Sequence, residues 1–407
     1  MPNDYKVPYL PSGSIFGEAE IEAVRRTLMS GKTLSCGLER EAFEEEFAAF
    51  VGVPYAVSVT NCTVALELAT YLAQVRPGDE VIAATQTYQA TIQHLLGSGV
   101  TVKFCDIDAN TLNIDPDCLA SLIGPRTRAL YLVHYGGASA DMAPIMDLAD
   151  RHGITVIEDC AHSVGATYRG RMPGGLGHIG CFSFQSYKNI STLGEGGMLT
   201  FKDERWNAKL RRIRAIEPDA DFRPRTPTSL GSYAWPADEI ERHDKNAYSE
   251  DCVAVRYPGT NSTLAEPAAA VGRVQLRRLS EFLERRTQIA NRLDAGLSAI
   301  PGIRVQQRNP DAPSAHHLYT CFLDPDTGLD RDAIARVLNE DSIEIQLRYF
   351  PLHLLPEWRA SGHGLGECQV AERVWFHEQL NLPIYPQMAD WQVEYMIERV
   401  AAAVSGG

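Results

Sequence analysis

The segment VIEDCAHSVGA, residues 156–166, ends an apolar run in Glu158, Asp159, Cys160 and His162. Those side chains could ligate zinc, furnish a thiol nucleophile or hold an organic cofactor. Zinc is disfavoured because neighbouring strand residues point to opposite faces, which separates Asp159 from Cys160, and no second cluster supplies further ligands. A thiol nucleophile at Cys160 needs a base within hydrogen-bond reach, and a small residue after a buried strand more often serves packing. Asp159 stands apart. Ligands of open α/β sheets bind outside the carboxyl ends of the strands, and ITVIED ends in this carboxylate. A helix-capping Asp in a βα loop is the plain alternative.

A second segment, CFSFQSYKNISTLGEGGM, places Lys188 among small and aromatic residues between a short strand and a glycine-rich turn. A lysine in a dry pocket loses its proton readily and can form a Schiff base; the plain alternative is a snorkelling lysine. Asp159 and Lys188 together imply pyridoxal phosphate, which needs a lysine for covalent attachment and an acid to keep its pyridine nitrogen protonated. That cofactor also needs a phosphate cradle. NCTVALELA offers one, a polar turn opening a helix whose free N–H groups and dipole suit a dianion. Thr63 could add its hydroxyl there, or a Thr or Asn could simply cap the helix.

These residues must be positioned by a fold that the rest of the chain specifies. Phe43, Phe47 and Phe50 recur at helical spacing, with Gly52 as a stop. Beyond them, short apolar runs alternate with helical patterns: YAVSVT then CTVALELATYLAQV, EVIAAT then YQATIQHLLGSG, TVKFCDI, RALYLVHY then MAPIMDLADRHG, and ITVIED. Strand and helix in alternation predict parallel βαβ units. Nearly continuous β-branched runs predict strands buried on both faces. CFSF and MLTF read as further strands, followed by a basic helix around Arg211. Residues 217–262 are polar and Pro- and Asp-rich, and read as a long excursion or lid. EPAAAVGRVQLRRLSEFLERRTQIANRL then predicts a long amphipathic helix. After it, IRVQQ, HHLYTCFLD, a helix from Arg331, IEIQLRYF and two more helices read as α+β. The predicted fold class is α/β: an N-terminal arm (1–14), a large domain (15–265) whose mostly parallel central sheet is covered by helices, and a smaller C-terminal α+β domain (266–407).

The length of 407 residues suits two to three domains, and 44% hydrophobic with 22% charged residues is an ordinary globular composition. A net charge of −14 without a basic run opposes binding to nucleic acid or an anionic membrane. No stretch approaches the ~20 apolar residues of a membrane helix. Nine scattered cysteines without CxxC spacing suit a reducing compartment, so a cytoplasmic protein is expected.

NCTVALELA, PGDEVIAATQTYQAT, DIDANTLNIDP, IEDCAHSVGATYRG, the CFSFQSYKN…GEGGM block, YFPLHLLP and NLPIYPQM together resemble the DegT/StrS-type sugar aminotransferases over nearly the whole chain. These are fold-type I, aspartate aminotransferase-like enzymes. The resemblance implies pyridoxal phosphate as cofactor, Lys188 as the Schiff-base lysine and proton shuttle, and Asp159 as partner of the pyridinium. It implies Tyr88 as the aromatic on the cofactor ring, Thr63 and Ser183 as phosphate ligands, and His162 where the family commonly has Gln near the ring hydroxyl. Asn261 matches an Asn given to the phosphate by the partner subunit, which implies a homodimer with shared sites. Three positions depart from the pattern. Cys62 replaces the usual Gly of the phosphate turn. GTNSTLAEPAAA lacks the aromatic and Arg more often found after the Asn. Arg348 stands where His is frequent, and its fork suits a carboxylate or phosphate. His316 and His317 precede a strand; His317 is a candidate for the substrate pocket, and a structural role is the alternative for both. No metal is implied.

The expected activity is transfer of an amino group from glutamate or glutamine to a nucleotide-linked keto-sugar or to a keto-cyclitol. The rivals are a pyridoxal-phosphate sugar dehydratase or lyase and a non-enzymatic regulator of the same fold. The family's sugar dehydratases carry His in place of the lysine, so Lys188 favours transfer.

Overall fold

The computed structural model describes residues 5–10, 12–215 and 260–406. Residues 1–202 with 264–407 form one compact unit and residues 203–263 another.

In the larger unit the short apolar runs become β1 (Tyr55–Val59), β2 (Glu80–Ala84), β3 (Thr101–Cys105), β4 (Thr127–Val133), β5 (Thr155–Asp159), β6 (Ile179–Ser183) and β7 (Gly197–Phe201). They make one sheet in the order β1-β7-β6-β5-β4-β2-β3. β7 is antiparallel to both neighbours and the remaining pairs are parallel. Every residue of β2, β6 and β7 is buried, which is why these runs are continuous rather than alternating. One consequence reaches the site. The carboxyl ends of β1, β4, β5 and β6 share an edge, and antiparallel β7 begins there, with Gly197 opposite both Val59 and Ser183.

Helix α1 (Glu18–Met29) precedes α2 (Leu38–Val51), which Gly52 ends in a left-handed conformation at φ 81°. Phe43 and Phe47 lie four apart and are wholly buried. The Phe47 ring meets Phe182 at 4.9 Å and Phe184 at 5.3 Å. Each such ring contributes about 1.5–3 kcal/mol by burial, and together they fix β6, the strand leading into the Lys188 segment. Helices α3 (Cys62–Leu72), α4 (Pro116–Leu122) and α5 (Met142–His152) complete the βα pattern. The smaller unit contains α6 (Glu204–Ala215), to which the N–H groups of Thr260 and Ser262 return by donating to Ile213 and Arg214 carbonyls at 2.7 and 3.0 Å.

Back in the larger unit, α7 (Glu266–Leu297) packs on α2 at Gly272, where a Cβ would meet the Phe43 ring at 2.7 Å. A second, antiparallel sheet follows in the order β10-β9-β8, from β8 (Ile303–Val305), β9 (Tyr319–Leu323) and β10 (Gln379–Leu382). Helices α8 (Arg331–Glu340) and α9 (Asp390–Ser405) share its core with α7, through Ile289, Leu293, Ile334, Leu380 and Val393.

Three expectations change. YQATIQHLLGSG is not one helix but two 3-10 turns, Gln89–Thr91 and Gln93–Leu95, broken where Ile92 takes φ −137°. IEIQLRYF joins neither sheet. Its Arg348 N–H donates instead to the Asn381 side chain, and Ile343 makes only an isolated bridge to Val7; Gln379–Leu382 supplies the third strand. The excursion at 217–262, with Arg223, Arg225, Arg242 and Lys245, lies outside the described residues except for 260–262.

Candidate functional site

A cavity of about 560 Å³ opens at the edge where β4, β5 and β6 end and β7 begins, and Lys188, Asp159, Val133 and Glu195 are among its walls. The Lys188 amine makes no hydrogen bond or ion pair among the described residues, and burial holds it down to about 8 despite the opposing charge of Asp159. Roughly a tenth of its molecules is therefore the free base at pH 7 and about half at pH 8.

Asp159 ends β5 and is 4% exposed. Its Oδ2 accepts from the Thr91 hydroxyl at 2.7 Å and its Oδ1 from the Ala161 N–H at 3.0 Å. Burial raises its pKa, while these two hydrogen bonds and Lys188 oppose the rise. Two accepted bonds leave a carboxylate with unused lone pairs. No helix follows it, so the capping alternative is not realised. Its neighbour Glu158 points to the other face. There it accepts from the Gly177 N–H at 2.6 Å, from the Gly174 N–H at 2.9 Å and from His134 Nε2 at 2.9 Å. Ala140 N–H donates to His134 Nδ1 at 3.1 Å, which assigns the ring proton to Nε2. His134, Glu158 and Cys160 have ligand atoms close enough to share a metal ion, yet every Glu158 oxygen is already engaged.

The polar turn after β1 opens α3 with Asn61 as its cap, Oδ1 accepting from the Val64 N–H at 3.0 Å. Capping thus falls to Asn61 and leaves Thr63 on the cavity wall with Ser183. The N–H groups of Cys62 and Thr63 have no acceptor within the helix. Cys62, where a glycine was the expected residue, tucks its thiol toward the Cys181 carbonyl at 3.5 Å. The close backbone approach is provided by Gly197 instead: a Cβ there would lie 2.4–2.8 Å from Asn61 and Cys62 backbone atoms.

On the opposite wall three rings stack. His162 lies 4.4 Å from His317 and 5.6 Å from Tyr349, at 25° and 9°. Its Nε2 is 3.1 Å from the Tyr349 hydroxyl, and Nδ1 is buried with no partner among the described residues. Burial, Lys188 and Arg348 hold His162 well below the usual histidine range, so the ring is neutral. A proton on Nδ1 would let Nε2 accept from the Tyr349 hydroxyl; a proton on Nε2 would reverse that bond. Tyr88, 53% exposed, and Arg348 complete the rim. His316 turns away, its carbonyl accepting from Arg286 and its Nδ1 lying 3.3 Å from Arg308.

The larger unit therefore gathers every one of its sequence-predicted site residues around one cavity, and Asn261 is an exposed residue of the smaller unit. Sequence reading missed Thr91, Tyr349, Gln185 and Glu195. Glu195 sits in the quoted glycine-rich turn and was legible as the acid nearest Lys188; Tyr349 bonds across 187 positions and left no local signal.

Residues 14–401 match the model of the DegT/DnrJ/EryC1/StrS aminotransferase family. The chain is 37% identical to spore coat polysaccharide biosynthesis protein SpsC of Bacillus subtilis (strain 168), over 98% of this chain and 97% of that protein. It is 33% identical to dTDP-3-amino-3,4,6-trideoxy-alpha-D-glucose transaminase of Streptomyces venezuelae, over 97% and 95%. The crystal structure of the aminotransferase TlmJ from Streptoalloteichus hindustanus superposes with a TM-score of 0.84 at 32% identity, covering 98% of this chain and 99% of that one.

Proposed function

The chain belongs to the DegT/DnrJ/EryC1/StrS aminotransferase family and is a pyridoxal-phosphate-dependent aminotransferase of amino-sugar biosynthesis, and from that premise we propose that it moves an amino group from glutamate or glutamine to a nucleotide-linked keto-sugar or a keto-cyclitol. One observation carries the reading: an unpaired Lys188 amine and an Asp159 carboxylate with spare acceptor capacity face the same cavity.

The chain's residues fit the cofactor. His162 Nδ1 is a buried nitrogen without a partner among the described residues, and the start of α3 presents free N–H groups on a turn that Gly197 allows to pack directly against β7. When bound, pyridoxal phosphate supplies an aldehyde carbon that takes up the amino group and a ring that accepts the electrons of the broken C–H bond. With the cofactor bound, Lys188 would hold it through its amine and, once the amino donor takes its place, would serve as the base that removes the donor's Cα proton and later returns a proton to the acceptor's carbon. Asp159 would accept from the ring N–H and, being buried, keep that proton in place. The α3 N-terminus, with the Thr63 and Ser183 hydroxyls, would hold the phosphate. Tyr88 would lie against the ring and His162 beside its hydroxyl. Asn261 would serve the phosphate of the partner subunit, which would make the homodimer the working unit, built from domains 15–265 and 266–407. The free thiols of the described cysteines suit a cytoplasmic enzyme. No helix among the described residues is long and apolar enough to cross a membrane.

The test is to add glutamate to the cofactor-loaded protein and follow the cofactor's visible absorbance, then to supply keto-sugar nucleotides and inososes until it returns. An absorbance that no amino acid alters sinks the reading. A sugar product that has lost water without gaining nitrogen would replace it by the dehydratase.

A further inference from the structure

Beside the main cavity lies a smaller one of about 30 Å³, whose walls include Tyr9, Gly13, Arg286, His317 and Arg348. Tyr187, His317 and Arg348 border both cavities, so the two adjoin next to Lys188.

Among the described residues the small cavity has two guanidinium groups and no carboxylate on its walls. Arg286, 1% exposed, donates only to carbonyls: Gly13 at 2.7 Å, His316 at 2.9 Å and Ile384 at 3.1 Å. Its burial without a counter-charge brings it down to about 9. Arg348 lies 5.4 Å from the Tyr9 ring centroid and donates to Gln346 Oε1. Glu344, the acid in that chain of contacts, is taken by the Tyr9 N–H and Gln346 Nε2. The Tyr9 hydroxyl is buried and has no partner among the described residues. Surplus positive charge and an unused donor beside a space of this size call for a small anion, since buried charge without a partner is costly.

His317 adds a different kind of group. Its Nδ1 faces Asn189 Oδ1 at 3.3 Å, while Asn189 Nδ2 donates to the Ala315 carbonyl, so Nδ1 carries the proton and the orphaned Nε2 is a lone pair. A cation beside an acceptor matches the two charged ends of an α-amino acid. We infer that Arg348 and the Tyr9 hydroxyl form the subsite for the α-carboxylate of the amino donor, with His317 Nε2 accepting from its ammonium group. This deepens the donor half of the function proposed above and rests on it. It also gives a role to the Arg found where the family more often has His. A nucleotide diphosphate is anionic too, but about 30 Å³ is room for a carboxylate oxygen or a water, not for a phosphate chain.

Two readouts test it. In the donor half-reaction, followed by cofactor absorbance, glutamine is compared with isoglutamine, whose α-carboxylate is an amide. Arg348→Gln is expected to raise the half-saturating concentration of glutamine about 30-fold or more and to erase the preference for glutamine over isoglutamine. Equal fold-changes for the two overturn the assignment. In calorimetry on cofactor-loaded protein, 2-oxoglutarate and uridine diphosphate are titrated in parallel. Arg348-dependent binding of 2-oxoglutarate supports the subsite; Arg348-dependent binding of the diphosphate alone overturns it. Tyr9→Phe removes one hydroxyl and keeps the test alive if Arg348→Gln fails to fold: glutamine affinity falls several-fold and isoglutamine affinity does not, and equal effects count against the subsite. Wild-type protein that binds 2-oxoglutarate through Arg348, yet whose absorbance no amino acid shifts, upholds the subsite and removes the aminotransferase reading.

Discussion

Glu158 and Asp159 are consecutive carboxylates at the end of one strand, and the two faces of the sheet treat them differently. On one face Glu158 is wholly buried and each of its oxygens is engaged, by two backbone N–H groups and His134. On the other, Asp159 accepts two bonds and keeps lone pairs beside an unpaired lysine. Burial alone does not separate a structural acid from a chemical one; the number of unused acceptor sites does. The Glu158 face is finished, and the Asp159 face is prepared for something else.

The largest test of that contrast is Lys188→Ala, which removes both the cofactor's attachment and the proton carrier and is expected to cost about 10⁴-fold or more in turnover. Circular dichroism and melting should show an intact fold, because the amine holds nothing else in place. Asp159→Asn comes next. It leaves the shape but not the charge, and turnover should fall about 10²- to 10³-fold with little change in Tm. The mirror experiment, Glu158→Gln, turns an acceptor toward groups that are all donors and should destabilise the protein by about 2–3 kcal/mol in denaturant melts. Turnover per folded molecule should stay within a few-fold; a loss as large as that of Asp159→Asn would dissolve the distinction between the faces. Smaller still is Thr91→Val, which deletes one hydrogen bond to Asp159 and should lower turnover less than tenfold.

The pH dependence sharpens the same point. Lys188 is depressed to about 8 by burial, so its nucleophilic free amine grows as pH rises through that value. Cofactor capture by apoprotein, timed by absorbance, should therefore accelerate from neutral pH and level off above about 9. A lysine at its ordinary value near 10.4 would still be accelerating there, and such a profile would contradict the burial of this amine.

What the sequence disclosed follows from the range of the interactions. The strand-end position of Asp159 was readable because β-branched runs mark strands and an abrupt carboxylate marks their end. The dry setting of Lys188 was readable from its neighbours in CFSFQSYKN. Asn61 as cap, rather than Thr63, was not, because both residue types satisfy the same rule and only the backbone path decides. The 3-10 turns at Gln89–Leu95 escaped because their apolar spacing equals that of a helix, while the Thr91 hydroxyl in the first turn is committed to Asp159, a residue 68 positions away. Tyr349 was invisible for the same reason, since IEIQLRYF has strand composition and its destination is set by Asn381 and His162.

Arg286 joins the carbonyls of Gly13, His316 and Ile384, and Gly13 lies so close to the Tyr187 and Lys188 carbonyls that a Cβ would meet them at 2.1 and 2.5 Å. In the order in which a ribosome delivers the chain, Gly13 comes early and Ile384 very late. The lysine segment can pair its strands long before then, but the wall behind it closes only when the final part of the second sheet has emerged. Nearly two hundred residues separate Lys188 from Ile384, so the lysine is made long before the wall behind it can close.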